Sequence, residues 1–408
     1  MRIGRTLPPA AAPITFKDIF SGLKGICNGQ TEIKRFESEL TRHFKVSHSF
    51  LVSSGKAALT IILKSLHEQH PERNEVIIPA FTCYSVPSAI LKAGLEIRLC
   101  DINPDTLDFD FDQLENEISR PCVLAVIPTH LFGMPADIGR IRNITTAKKV
   151  WIVEDAAQAM GGESNHQKLG TLGDVGFFSL GRGKALSTVE GGIILTNNPG
   201  LADRIARQMA DLPEYSRLET LKLLIYAVIL NIFMRPAWFW FPKALPFLKL
   251  GETLFEPDFS IQKLCAFQAG LSRGWEKRLK QITLDRQKAV RNWADLMSRC
   301  PSEKMQNIHL ACQAKLRFPL KVTDAAALAG ILAVSEQNGL GLMRAYPDSV
   351  NHIPQIRDRF RNMTFPKASA IAGQVLTLPV HHFMKAADIR KIKQILTPFF
   401  QKENKCLP

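Results

Sequence analysis

Four short patterns, in chain order, carry residue types able to do chemistry. The first, Ser53-Ser54-Gly55-Lys56-Ala57-Ala58-Leu59, ends a β-branched run in small residues and opens a helical one. Free N–H groups at a helix start attract phosphate, glycine lets it come close, and Lys56 adds positive charge. A helix start simply capped by serine would look the same. The second, Val153-Glu154-Asp155-Ala156-Ala157-Gln158, sends two acids out of an apolar run. A carboxylate placed there can keep a heterocyclic nitrogen protonated, and Asp155 is the better candidate; turn capping is the alternative. The third, Phe178-Ser179-Leu180-Gly181-Arg182-Gly183-Lys184, sets a hydroxyl five residues before a lysine in a glycine-rich turn. Among 52 basic residues a lone lysine is ordinarily a solvated surface charge. Apolar runs on both sides of this one favour desolvation, which makes an amine nucleophilic. The fourth, Glu190-Gly191-Gly192, leads into an apolar run and by itself says only tight turn.

A phosphate cradle at Ser54, Gly55, Lys56 and Ser179, an amine at Lys184 for an aldehyde carbon, and a carboxylate at Asp155 for a ring nitrogen together match pyridoxal 5'-phosphate. Its protonated ring is an electron sink for a carbanion. Such a site needs a scaffold that brings distant segments to one edge. Between about residues 48 and 200 short β-branched runs alternate with helical stretches, the pattern of a parallel sheet covered by helices. The spacing predicts strands at 49–52, 75–78, 96–99, 123–127, 150–153, 175–179 and 192–196. Several end in polar residues or glycine, where open α/β sheets place their ligands.

Beyond this region lies an apolar stretch, 221–250. Its longest charge-free run, Leu223 to Met234, has 12 residues, short of the roughly 20 that span a bilayer. Two readings stay open for it. One buries it in the core or in a dimer interface. The other lays it on a membrane, with Trp238, Phe239, Trp240 and Phe241 at the lipid interface and Lys222, Arg235, Lys243 and Lys249 near anionic headgroups. From Ile261 a long amphipathic helical pattern runs through Trp275 and Trp293, followed by strand signals at 314–318 and 374–378 and a last helix at 386–396. The expected fold is therefore α/β, with a large cofactor-binding domain at 1–255 and a connecting helix plus smaller α/β domain at 256–408.

Composition narrows the partners. With 46% hydrophobic and 22% charged residues over 408 positions, the chain can bury more than one core. Residues 1–13 hold Arg2, Arg5 and three prolines in place of a continuous apolar run, so a signal peptide is not expected and the reading is cytoplasmic. The eight cysteines, Cys27, Cys83, Cys100, Cys122, Cys265, Cys300, Cys312 and Cys406, lack paired or zinc-type spacing, which argues against disulfides and a metal. A net charge of +14 suits phosphorylated molecules, anionic membranes or nucleic acid. The basic residues form no arginine-rich arm or nucleic-acid motif, so nucleic acid is not expected as a partner.

In their order these motifs resemble the DegT/DnrJ family of sugar aminotransferases, which have the fold-type-I aminotransferase fold. The resemblance rests on Ser54-Gly55, Glu75-Val76-Ile77-Ile78-Pro79, Glu154 to Gln158, Gly170-Thr171-Leu172-Gly173-Asp174, Ser179 to Lys184 and Glu190 to Gly192, with His130 in Thr129-His130-Leu131-Phe132-Gly133. It is weaker at Tyr346-Pro347 and at Leu376-Thr377-Leu378-Pro379-Val380-His381. It implies Lys184 as the lysine that holds the cofactor as a Schiff base and shuttles a proton. It also implies Asp155 at the pyridine nitrogen, Gln158 beside the ring, Ser179 with the Gly55 and Lys56 amides on the phosphate, and His130 at the substrate. A nucleotide-linked keto-sugar, glutamate as amine donor and a homodimer follow from the same resemblance. Relatives with histidine at position 184 are dehydratases.

The chain departs from the family pattern at three places. The aromatic residue that stacks on the cofactor falls on Cys83, with Phe81 and Tyr84 as neighbouring candidates. Gly181 stands where histidine is frequent. Glu256-Pro257-Asp258-Phe259-Ser260 replaces an Asn-Tyr-Arg segment that reaches the partner's phosphate site. A different reading follows from these departures: a non-catalytic or differently specific protein of the same fold that acts as a membrane-associated component of polysaccharide assembly.

Overall fold

Helices α1 (Phe16–Asn28) and α2 (Gln30–Phe44) come first in a computed structural model that describes residues 3–11, 14–245, 253–299, 305–308 and 315–400. Lys249, Cys300, Cys312, Cys406 and the start of the strand expected at 314–318 lie outside the described residues. Thr15 and Asp18 form a reciprocal capping box at the start of α1, and Gly29, at φ 55°, separates the two helices. Such a φ is one glycine adopts freely.

The central sheet is built from β1 (His48–Val52), β2 (Glu75–Pro79), β3 (Glu96–Cys100), β4 (Val123–Val126), β5 (Trp151–Asp155), β8 (Val175–Ser179) and β9 (Gly192–Thr196). A small hairpin, β6 (Glu163–Ser164) and β7 (Gln167–Lys168), stands apart from it. The order is β1-β9-β8-β5-β4-β2-β3, with β9 antiparallel to both neighbours and the other pairings parallel. Helices α3 (Gly55–Gln69), α4 (Ser85–Lys92), α5 (Phe111–Ile118) and α6 (Ile138–Thr145) connect strands, and α7 (Pro199–Ala210) follows the last of them. Covered strands read as continuous apolar runs, and β4 and β9 are buried along their whole length. All seven strands of this sheet lie where the spacing predicts them, within about a residue or two at each end, the ordinary ambiguity of strand limits.

Helix α8 (Arg217–Phe233) and the short α9 (Trp240–Lys243) form the apolar insert. Leu223, Ala227 and Asn231, spaced one helical turn apart, turn inward, and Asn231 Nδ2 donates to the Ile14 carbonyl at 2.7 Å. Within 238–241, Phe239 is buried while Trp238 and Phe241 are exposed, so burial covers only one face of the segment. Among the described residues no helix is long and apolar enough to cross a membrane.

Helices α10 (Ala266–Leu271) and α11 (Trp275–Arg299) lead to an antiparallel sheet of β10 (Met305–Asn307), β11 (Phe318–Val322), β12 (Met343–Arg344) and β13 (Val375–Leu378), in the order β10-β11-β13-β12. Helices α12 (Ala325–Asn338), α13 (Pro366–Gln374) and α14 (Ala386–Phe400) complete this part. Its core gathers Trp293, Phe318, Leu328, Leu376 and Ile392. Two segments cross the division expected at residue 255. Residues 5–8 lie on the C-terminal part, through Arg5 to Asp388 at 2.7 Å and Leu7 N–H to the Gly339 carbonyl at 2.8 Å. Tyr346, Val350, Phe360 and Ile371 instead join the core under the large sheet.

Glycine seats α1 against α10. A Cβ on Gly25 would stand 2.5 Å from the Ala266 carbonyl oxygen, and one on Gly270 would stand 2.6 Å from that of Ser21. Gly25→Ala is expected to lower stability by about 1–3 kcal/mol because backbone must give way. Gly330→Ala, where nothing lies within 4 Å, should raise it by about 0.4–1 kcal/mol. Urea denaturation midpoints of the two variants check the contrast.

Candidate active site

The first, second and third patterns of the sequence meet where β1, β5 and β8 end. Ser54, extended at φ −161°, caps α3 by accepting the Ala57 N–H on its Oγ at 3.0 Å. The Gly55 and Lys56 N–H groups find no acceptor among the described residues. Glycine at 55 is a matter of space, because a Cβ there would stand 3.0 Å from Ser179 Cβ. The glycine pair of the fourth pattern has a similar cause: a Cβ on Gly192 would fall 2.2 Å from the Ser54 carbonyl oxygen, so β9 can pass the cradle only as glycine.

Glu154 and Asp155 have opposite surroundings at the end of β5. Glu154 has no exposed surface and accepts from the N–H groups of Gly170, Leu172 and Gly173 and from His130 Nε2, the last at 2.6 Å. Burial alone would raise its pKa, but the His130 hydrogen bond and the loop N–H groups outweigh it and lower the pKa. Asp155 is nearly as buried, yet its carboxylate accepts only the Ala157 N–H, at 3.0 Å. Burial therefore raises its pKa, against the Ala157 N–H and the opposing charge of Lys184.

Lys184, partly buried in the turn after β8, has its pKa lowered, first by desolvation. The charge of Arg317 adds to the lowering, while those of Cys83 and Asp155 oppose it. Gln158 is held at both ends of its amide: Oε1 accepts the Phe132 N–H at 3.2 Å and Nε2 donates to the Tyr346 hydroxyl at 2.9 Å. Ser179 Oγ accepts the Gly181 N–H at 3.3 Å.

Three expected contacts differ. The Lys56 ammonium turns outward to Glu256 Oε2 at 3.2 Å and lies 4.5 Å over the Phe259 ring, so only its backbone N–H faces the cradle. His130 is fully buried with both ring nitrogens engaged: Nδ1 accepts the Ala136 N–H at 2.9 Å, and Nε2 donates to Glu154. That places it behind the acids and leaves no edge for a substrate. Tyr84 is tied to the backbone of Asp348, donating to its carbonyl and accepting its N–H, both at 3.0 Å. Phe81 meets Tyr346 edge-on at 5.3 Å. Cys83 Sγ accepts from Ser85 Oγ at 3.0 Å.

Two further residues belong to this neighbourhood. Tyr346 is buried, which pushes its pKa up. Arg317 touches the Met343 sulfur at 3.0 Å and joins no ion pair among the described residues; burial lowers its pKa. Tyr346 carried a weak signal in the resemblance at Tyr346-Pro347, whereas Arg317 had none, since an arginine at the head of a strand looks like any surface charge. Among the described residues no group of three or more His, Cys, Asp or Glu side chains could hold a metal. The residues fit pyridoxal 5'-phosphate: a desolvated amine, a buried carboxylate short of donors, and a cradle that a Cβ would fill.

A mostly parallel seven-stranded sheet carrying these groups at its strand ends, with a smaller antiparallel sheet behind it, has the fold-type-I aminotransferase architecture. The structure of Helicobacter pylori PseC, an aminotransferase involved in the biosynthesis of pseudoaminic acid, superposes with a TM-score of 0.78 over 97% of this chain and 99% of that one, at 16% identity. The chain belongs to the DegT/DnrJ/EryC1/StrS aminotransferase family, whose model matches residues 21–212 and 260–397. It is 33% identical over 178 residues to L-glutamine:2-deoxy-scyllo-inosose aminotransferase of Streptomyces kanamyceticus, covering 44% of this chain and 41% of that protein. It is 30% identical over 175 residues to GDP-perosamine synthase of Vibrio cholerae, covering 43% and 47%. The matches thus span less than half the length of these curated relatives.

Because the folded pKa of Glu154 lies below its ordinary value, its stabilisation is full above the ordinary carboxylate range and is lost as pH falls through the folded pKa. Glu154→Gln should cost about 1–3 kcal/mol or more at neutral pH, because an amide with one acceptor oxygen leaves buried donors unpaired. The gap to wild type should narrow on acidification, measured by urea denaturation across pH.

Proposed function

We propose that this chain is a pyridoxal 5'-phosphate-dependent aminotransferase that places an amino group on a nucleotide-linked keto-sugar, with an amino acid, glutamate, as donor. One observation carries the reading: Lys184 and Asp155 lie close enough to feel each other's charge, with pKa values displaced by burial in opposite directions, the lysine down and the acid up. An apolar structural core would not keep two such groups together. When bound, pyridoxal 5'-phosphate supplies a ring that accepts electron density from the carbon losing a proton.

The chain's own residues divide the remaining work. Ser54 and Ser179, with the Gly55 and Lys56 N–H groups, hold the phosphate. Asp155 keeps a proton on the ring nitrogen, and a cationic partner relieves its raised pKa. Lys184 Nζ, less firmly protonated than an ordinary lysine, takes up a proton at the reacting carbon and returns it. Gln158 lies beside the ring, held by Phe132 and Tyr346. Cys83 leaves that side without an aromatic cover. His130 and Glu154 act as positioning residues that hold the strand end carrying Asp155. Arg317 offers an unpaired positive charge for an anionic group of a substrate. The reading includes a homodimer in the cytoplasm, a 1–255 cofactor domain followed by a 256–408 domain, and a peripheral position at the inner face of the membrane through 221–250.

One observation favours the non-catalytic alternative. Glu256 and Asp258 fold back to Lys56 and Lys92 of their own chain, which puts an acidic segment beside the cradle. Absorbance separates the two. The purified chain mixed with pyridoxal 5'-phosphate should gain a visible band that dialysis does not remove, and Lys184→Ala should lack it while keeping the wild-type Tm. A chain with no band, or a variant that retains it, would sink the assignment. Asp155→Ala should lower kcat on a nucleotide keto-sugar by about two orders of magnitude or more, and an unchanged kcat would remove Asp155 from its role.

A further inference from the structure

Among the described residues 17 large hydrophobic side chains are exposed, and 12 of them fall in α1 and the α8–α9 insert. On α1 they include Phe16, Phe20 and Leu23; on the insert, Leu218, Leu221, Ile225 and Trp238. Phe16, Leu218 and Trp238 are 61%, 63% and 54% exposed. The spacing is helical on both: 16, 20 and 23 share one side of α1, and 218, 221, 225, 229 and 232 one side of α8. The opposite sides pack inward in one shared cluster with Ile19, Leu223, Ala227 and Phe267. Two adjacent helices therefore each turn an apolar side outward, and most of the insert lies in 213–259, outside the residues that the family model matches.

The exposed, unpaired charge on these segments is positive. Lys17, Lys24, Arg217, Lys222 and Arg235 are exposed and enter no ion pair among the described residues. Lys24 Nζ rides 4.7 Å over the Phe20 ring, keeping its charge beside an apolar side chain. The acids there are mostly engaged: Asp18 is buried against Arg278 at 2.7 Å, and Glu219 caps α8 and bonds Gln262. A second copy docked through a two-fold would press this patch on itself and set cation against cation. An anionic bilayer instead neutralises the cations, takes the apolar sides, and suits Tyr226 and Trp238 at headgroup depth.

We propose that the outer sides of α1 and α8–α9 together form a docking surface for an anionic lipid bilayer, with both helices lying in the interface and neither crossing it. This goes beyond a membrane contact of the insert alone by making α1 half of the surface and anionic headgroups its ligand. A cleft of about 780 Å³, lined by Tyr226, Phe233 and Phe241 on the insert and by Gly181 and Arg182 on the other side, joins the surface to the turn that carries Lys184.

Co-sedimentation of the full chain with vesicles tests it. The protein should pellet with mixed phosphatidylcholine and phosphatidylglycerol vesicles at low salt and far less with phosphatidylcholine alone. Lys24→Gln with Lys222→Gln should lower the partition coefficient by roughly tenfold or more. Phe16→Ser with Phe20→Ser, far from the insert in sequence, should remove most of the binding that survives high salt, with Tm unchanged because both side chains are exposed. Lys184→Ala should pellet like wild type, so this surface and the chemistry at Lys184 fail independently. Wild-type protein left in the supernatant with phosphatidylglycerol vesicles at low salt overturns the proposal. So does an α1 double variant that pellets normally but sediments as a monomer where wild type is a dimer, which would assign the surface to a second copy.

Discussion

Leaving a carboxylate bare in a protein interior is costly, and Glu154 has no exposed surface at all. The surrounding backbone is arranged around that constraint. The loop at Gly170 to Gly173 turns three N–H groups onto it, and His130 brings a fourth donor from the end of β4. His130 is held in turn by the Ala136 N–H, and its own N–H donates to the Asp155 carbonyl. Three segments distant in sequence are thus locked to the end of β5. Asp155, the next residue, inherits a fixed position while its carboxylate accepts only the Ala157 N–H.

The turn at Ser54 and Gly55 depends on a different constraint, closeness of backbone. Strand β9 runs against the start of α3, and its first residue sits where any Cβ would collide with the Ser54 carbonyl. That contact holds Ser54 and Gly55 beside Ser179, because β9 pairs with both β1 and β8. Reversal of this single strand within an otherwise parallel sheet therefore brings the first and third patterns together.

Electrostatics at the site are governed by burial more than by pairing. The charges of Asp155, Lys184 and Arg317 are each disfavoured by burial, and the described residues supply only partial compensation. The segment from Tyr346 contributes to the site from the far end of the chain, packing into the core under the large sheet and supplying the hydroxyl that fixes Gln158.

Much of this was legible in the sequence. Alternation of apolar runs with helical stretches placed the seven strands, because covered strands must be continuously apolar, and the types and order of Ser54, Asp155, Ser179 and Lys184 pointed to one cofactor before any contact was known. Side-chain direction was not legible. Lys56 and His130 have the right chemistry at the right spacing, yet Lys56 turns to Glu256 and His130 to Glu154, partners 200 and 24 residues away. The apolar insert could be read as buried or exposed from its composition, and only packing decided which side of α8 turns outward. The outward side of α1 and the crossing of residues 5–8 to the C-terminal sheet likewise came from tertiary structure. Local spacing determines which residues share a face, whereas what that face meets is set by chain segments that spacing does not relate.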